Sequence, residues 1–221
     1  MSTAISRVFR SRAKAKANYN RLSRWYDIVA GSTEKKYRNI GLQKLNAQPG
    51  ERILEIGFGT GHCILALARA VGETGEVCGI DLSEGMLAVT QARLQQAELL
   101  DRVDLRVGDA VSLPFTADFD GVFMSFTLEL FDTPEIPLVL SQCYDVLRPG
   151  GRLALVAMIK NPGTAVKIYE WFHDKMPVAV DCRPIHAQED LTAAGFNICD
   201  VSALSMWGLP VEIILAEKDS E

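Results

Sequence analysis

Ile53-Leu54-Glu55-Ile56-Gly57-Phe58-Gly59-Thr60-Gly61-His62 is followed, at Gly79-Ile80-Asp81-Leu82-Ser83, by a second apolar run that ends on an aspartate. The apolar and β-branched residues of 52–56 suit a strand buried on both faces of a parallel sheet, where alternation is not expected. Gly57, Gly59 and Gly61 allow positive φ and let a ligand approach the backbone with no Cβ in the way. Residues 62–71 are rich in helix formers, so the turn opens into a helix N-terminus whose unpaired N–H groups attract a carboxylate or phosphate. Asp81, closing the next strand, is placed to accept both hydroxyls of a ribose.

A dinucleotide fingerprint, G-x-G-x-x-G, requires a third glycine where this chain has His62. The pattern here is E-x-G-x-G-x-G, with Glu55 two residues ahead of Gly57. Three further motifs follow in order: Val107-Gly108-Asp109-Ala110, Phe119-Asp120-Gly121-Val122-Phe123-Met124-Ser125, and Val146-Leu147-Arg148-Pro149-Gly150-Gly151-Arg152-Leu153. Together these resemble the class I S-adenosylmethionine-dependent methyltransferases. The resemblance implies S-adenosylmethionine as cofactor and S-adenosylhomocysteine as product. It places Glu55, Gly57, Phe58, Gly59 and Gly61 around the methionine part and Asp81 on the ribose. Leu82 and Met86 would pack on the adenine, with Asp109 and Ala110 reading its edge and Ser125 at the end of the fourth strand. For Met86 the buried face of a helix is an equal alternative, and for Asp109 a capping role in its own turn.

The order of elements gives an α/β architecture. Helices are expected at 4–24 and 33–46, then strands at 52–57, 76–80, 103–107, 120–125 and 152–158 alternating with helices at 61–71, 84–99, 134–147 and 164–175. Such alternation implies right-handed crossovers and a doubly wound parallel sheet. Residues 196–202 and 211–217, separated by a turn with Gly208 and Pro210, look like a hairpin. The expected fold is therefore a seven-stranded, mostly parallel, Rossmann-like sheet with an antiparallel last strand and extra N-terminal helices. One domain, 1–221, is expected: a helical lid over 1–48, a cofactor-binding core over 49–158, and acceptor-region helices with the hairpin over 159–221.

Methyl transfer from a sulfonium needs mainly alignment and exclusion of water, but a ring carbon or oxygen acceptor also has to lose a proton. His173 and His186 lie in the region between the fifth and sixth strands that helps form the acceptor site in this superfamily. Either is a candidate base or an ordinary exposed or capping histidine. Glu129, alone in the apolar run Phe126-Thr127-Leu128-Glu129-Leu130-Phe131, is either an acceptor-site carboxylate or a solvated residue at a helix start. Asn18-Tyr19-Asn20-Arg21-Leu22-Ser23-Arg24-Trp25-Tyr26-Asp27 resembles the lid of methyltransferases that modify quinone precursors or phospholipid amines. On that basis Tyr26, and also Tyr19, would touch the methionine end. The longer signatures of the quinone enzymes are absent.

The chain has 221 residues, 48% of them hydrophobic, enough for a sizeable core. Its apolar runs fall short of a membrane span, and the N-terminus lacks the apolar core of a signal peptide, so a cytoplasmic protein is expected. Cys63, Cys78, Cys143, Cys182 and Cys199 have no C-x-x-C pairing, and the histidines no ligand spacing, so neither a disulfide framework nor a metal site is expected. Net charge is −5, yet Arg7, Arg10, Arg12, Lys14, Lys16, Arg21 and Arg24 precede the first acidic residue, Asp27. That segment is either a solvated basic helix or a contact with an anionic membrane or substrate. Nucleic acid is disfavoured by the overall acidity. The expected acceptor is small and hydrophobic or lipid-like: a quinol ring carbon, or alternatively a phospholipid amine. A dinucleotide oxidoreductase and a non-catalytic partner-binding module are the rivals.

Overall fold

A computed structural model describes residues 12–22, 32–116, 118–161, 163, 166, 169 and 182–220. Two helices, α1 (Arg12–Leu22) and α2 (Ser32–Leu45), precede β1 (Arg52–Ile56), α3 (His62–Val71), β2 (Glu76–Asp81), α4 (Glu84–Gln96), β3 (Val103–Val107) and β4 (Phe119–Ser125). α5 (Ile136–Val146), β5 (Leu147–Met158), α6 (Ala187–Ala193), β6 (Asn197–Met206) and β7 (Leu209–Glu217) complete the order. The seven strands form one sheet in the order β3-β2-β1-β4-β5-β7-β6. β1 to β5 run parallel, and β7 is antiparallel to both its neighbours, β5 and β6.

Side-chain alternation divides the core into two halves. Leu54, Ile56, Val122, Met124, Leu153 and Leu155 face α5 and α6. Ile53, Val77, Phe123, Ala154 and Val156 face α2 and α3. Helices on both faces are what make the strands apolar without interruption. α2 approaches the sheet so closely that a Cβ on Gly41 would lie 2.7 Å from Val156 Cγ2 and 3.1 Å from Phe123 Cε2.

Several boundaries differ from the sequence expectations. α4 stops at Gln96 rather than 99, where Glu98 takes a left-handed φ of 57°. β5 starts at Leu147, because Pro149-Gly150-Gly151 is absorbed as a register shift between the pairs Phe119↔Leu147 and Gly121↔Arg152. The C-terminal hairpin is longer than expected, Asn197–Met206 with Leu209–Glu217, and its connection is Trp207-Gly208 alone. α6 was not anticipated, since seven residues carry too little periodicity. Most of the expected helix 164–175, and residues 4–11 and 23–24 of the first one, lie outside the described residues. Among the described residues no helix is long and apolar enough to cross a membrane.

Candidate active site

The switch in strand order between β1 and β4 opens a crevice at the carboxyl ends of the strands, where ligands of open α/β sheets bind. A cleft of about 380 Å³ occupies it. Its walls include Gly57 and Gly59 after β1, Asp81 and Leu82 after β2, Met86 on α4, Asp109 and Ala110 after β3, and Thr127 after β4. Tyr19 of α1 lines it as well.

The three glycines of the turn have different reasons to be glycine. All have positive φ: 76° at Gly57, 51° at Gly59 and 83° at Gly61. A Cβ on Gly57 would overlap the Thr127 side chain, and one on Gly61 would lie 2.7 Å from Thr90 Cγ2. A Cβ on Gly59 would meet nothing within 4 Å. Gly57 and Gly61 therefore allow the turn to pack against the protein, whereas Gly59 leaves its space to the cleft. Thr90 Oγ1 fixes that turn by donating to Gly59 O at 2.8 Å.

Asp81 accepts hydrogen bonds from the backbone N–H of Gly59 and of Ser83, each at 2.9 Å. Burial raises its pKa, and these N–H donors pull in the opposite direction. Ser83 caps α4, its Oγ accepting from Met86 N–H at 3.1 Å. Met86 is thus a buried helix residue and a wall of the cleft together. Asp109 lines the cleft and also accepts from Val111 N–H at 3.1 Å, the capping contact in its own turn. α1 is pinned above this edge: Asn20 Oδ1 accepts from Ser83 Oγ at 2.6 Å and from Gly85 N–H at 2.9 Å, and Lys16 pairs with Glu84.

Glu55 is 3% exposed, with Oε2 buried and no hydrogen-bond partner. Its pKa is raised by burial first and by the negative Asp81 second, with Arg38 opposing. Phe58 and Gly61 do not line the cleft; the Phe58 ring is core, and a Cβ on Gly79 would lie 2.9 Å from it. Ser125 Oγ is likewise buried without a hydrogen-bond partner, and Ser125 does not line the cleft. Tyr26 and His173 lie outside the described residues.

Glu129 is not a solvated first-turn residue. It is fully buried, in a single 3₁₀ turn (Leu128–Leu130) instead of at a helix start, and Oε1 accepts from Met158 N–H at 3.3 Å. Oε2 is buried with no hydrogen-bond partner. Burial is the main cause that pushes its pKa up to about 8; Glu34 adds to the rise, while backbone N–H groups and Arg183 oppose it. The sequence alone did not single out Arg183, which is 1% exposed and donates from Nη2 to Phe131 O at 2.6 Å. Glu129 itself does not line the cleft, but its turn is continuous with Thr127, Leu130 and Phe131 of the cleft wall. His186 is at the start of α6, its Nδ1 4.0 Å from Glu189 Oε1, and it does not line the cleft.

The open space at Gly59 and the carboxylate at Asp81 fit a ligand with a ribose, while Glu55, whose Oε2 has no hydrogen-bond partner, lies outside the cleft lining. Residues 53–151 match a family model described as a methyltransferase domain. The chain is 38% identical over 140 residues to the demethylmenaquinone methyltransferase of Symbiobacterium thermophilum, covering 61% of this chain and 55% of that one. It is 32% identical over 163 residues to the demethylmenaquinone methyltransferase of Oceanobacillus iheyensis, covering 72% and 67% respectively. The matches therefore leave a third or more of each relative's length uncovered. In fold the chain superposes on the crystal structure of the [4+2]-cyclase SpnF with a TM-score of 0.79 at 20% identity, over 99% of this chain and 100% of that one. By its identity to the Oceanobacillus iheyensis relative, of which it covers two thirds, the chain belongs to the S-adenosylmethionine-dependent methyltransferases.

Proposed function

We propose that this chain transfers a methyl group from S-adenosylmethionine to a ring carbon of a small hydrophobic acceptor of the quinol type. The observation that carries the reading is the cleft itself, in which Gly59, Asp81 and Asp109 from the carboxyl ends of β1, β2 and β3 converge with Met86 of α4. The demethylmenaquinone methyltransferase names of the relatives supply the acceptor class. A cyclase with the same fold is a reminder that architecture alone does not choose the chemistry.

In this reading Asp81 accepts the ribose hydroxyls, and Glu55 answers the amino group of the methionine part. Asp109 and Ala110 read the adenine edge between the apolar walls of Leu82 and Met86. Bound S-adenosylmethionine supplies a methyl group already activated by its sulfonium. What remains for the protein is to exclude water, align the acceptor and move its proton. Glu129 is our candidate for the last task. Its carboxylate form takes the proton of a ring hydroxyl and leaves the ring electron-rich, with Arg183 and the Met158 N–H steadying the charge. Residues 1–48 would act as the lid, 49–158 as the cofactor-binding core, and 159–221 as the acceptor side. Peripheral contact with an anionic membrane, where such acceptors dissolve, belongs to the same proposal.

Calorimetry with S-adenosylhomocysteine, against NAD and NADP as controls, tests the cofactor. Micromolar binding, about −8 kcal/mol, is expected of the first alone. Incubation with S-adenosylmethionine and a demethylated naphthoquinol, followed by mass spectrometry, then tests the acceptor. Cofactor binding without a methylated product would reject the quinol.

A further inference from the structure

Trp207 is exposed to 76%, more than any other large apolar residue among those described. It sits with Gly208 in a two-residue hairpin loop closed by the pair Met206↔Leu209. Both loop residues have positive φ, 54° and 83°, as in a type I′ turn. Asn-Gly is the ordinary occupant of such a turn, and a bulky aromatic there is strained. The chain thus holds an indole out into solvent at a position where a small polar residue would be more stable. Outliers of this kind point to a use.

The tip also has a definite location. β7 is antiparallel to β5, with Val211 opposite Met158, so the loop stands at the carboxyl end of the parallel strands, the end that carries Asp81 and the cleft. Beside it runs α2, tied to β6 by Tyr37 Oη, which donates to Ser205 O at 2.6 Å. The two residues ahead of Tyr37, Lys35 and Lys36, are exposed. Of the nearby acidic groups, Glu34 pairs with Arg38 at 3.1 Å, whereas Glu212 accepts from the neutral amide of Gln188 at 2.8 Å and keeps its charge. The N-terminal end of α2 thus presents two exposed lysines on the side of the tip, in a chain of net charge −5.

We propose that the Trp207 tip, with Lys35 and Lys36, is a lipid-docking surface that seats this end of the sheet on an anionic bilayer. The indole enters the interfacial zone, where its apolar body and N–H are both accommodated, and the lysines face the anionic headgroups. Charge complementarity selects this occupant. A two-residue tip offers a single wedge and not the roughly 800 Å² that each side of a stable protein interface buries. This inference deepens the lipid-like acceptor proposed above, since it would place the cleft mouth over the phase that dissolves such an acceptor, but vesicle binding can be measured without any acceptor.

The test is co-sedimentation of the full chain with vesicles of equal phosphatidylglycerol and phosphatidylcholine, and with phosphatidylcholine alone. The parent should bind the anionic vesicles only. Trp207→Asn and Lys35→Glu/Lys36→Glu should each reduce binding by about tenfold, and Trp207→Phe should retain most of it. Trp207→Asn should at the same time melt higher than the parent and bind S-adenosylhomocysteine unchanged, which separates docking from folding and from the cofactor site. Equal binding by parent and Trp207→Asn overturns the proposal, as does equal binding to neutral vesicles. A parent dimer in sedimentation velocity that Trp207→Asn dissociates overturns it in favour of a second copy.

Discussion

Gly59 N–H donates to Asp81 Oδ2 at 2.9 Å, so the turn after β1 and the carboxylate after β2 form one unit. Asp81 shapes the glycine turn, and in the proposed function it also offers its remaining lone pairs to the ribose. Asp81→Ala should therefore weaken S-adenosylhomocysteine binding by about 1–3 kcal/mol through lost charge-assisted hydrogen bonds. Calorimetry reads the affinity, and hydrogen exchange at the Gly59 amide should accelerate. An unchanged affinity removes Asp81 from the site.

The two glycines nearest the cleft should respond differently to a side chain. Gly59→Val faces open space, so it should give a folded protein that no longer binds S-adenosylhomocysteine. Gly57→Ala drives a methyl into Thr127 at a positive φ, and should lower stability by about 2–3 kcal/mol. Denaturant unfolding beside calorimetry distinguishes the two, and a Gly59→Val protein that binds normally refutes the assignment of that space.

These glycines show what the sequence could and could not tell. The strand, turn, helix and acid of 53–81 are local patterns, and each formed within a residue or two of its expected place. The division of labour among Gly57, Gly59 and Gly61 depends on Thr127 and Thr90, distant in sequence, and could not be read from the turn. Glu129 looked ambiguous for the same reason. Its burial is decided by Met158 and Arg183, which lie 29 and 54 positions further on. His186 sat in a plausible region, but α6 carries it away from the cleft. Trp207 was simply part of a turn until the pairing of Met206 with Leu209 left it at the tip.

Asn20 links α1 to the cleft edge through Ser83 and Gly85. Asn20→Ala should free α1 and with it Tyr19, weakening S-adenosylhomocysteine binding by about 0.5–1.5 kcal/mol, the worth of one hydrogen bond. Amide exchange over 12–22 should rise in parallel. Tighter or equal binding with unchanged exchange would mean that α1 is held by its other contacts.

Trp207→Asn replaces a strained bulky residue with one that tolerates a left-handed φ in a two-residue hairpin. Chemical denaturation should show a gain of about 0.5–1 kcal/mol, since a compatible turn residue removes strain while deleting almost no buried surface. A loss of stability would show that the exposed indole contributes contacts of its own.

Glu129 makes a prediction about pH, with a definite sign. Its carboxyl has an ordinary pKa of 4.5 unfolded and about 8 in the folded protein. Between those values the native state binds the extra proton, so its contribution to stability is fully present below pH 4.5 and is lost as pH rises through about 8. Glu55 and Asp81, raised by burial as well, act in the same direction. Glu129→Gln mimics the protonated form and should flatten, without abolishing, the fall in stability from pH 5 to 9, measured by denaturant midpoints at each pH. The same substitution tests the proposed proton transfer. A base must be ionised to act, so turnover of the parent should climb with pH to a plateau above about 8. In Glu129→Gln that limb should vanish together with most of the rate, while S-adenosylhomocysteine affinity stays put. If the stability curve flattens but the pH–rate limb persists, Glu129 is a buried structural carboxyl and the acceptor's proton leaves by another route.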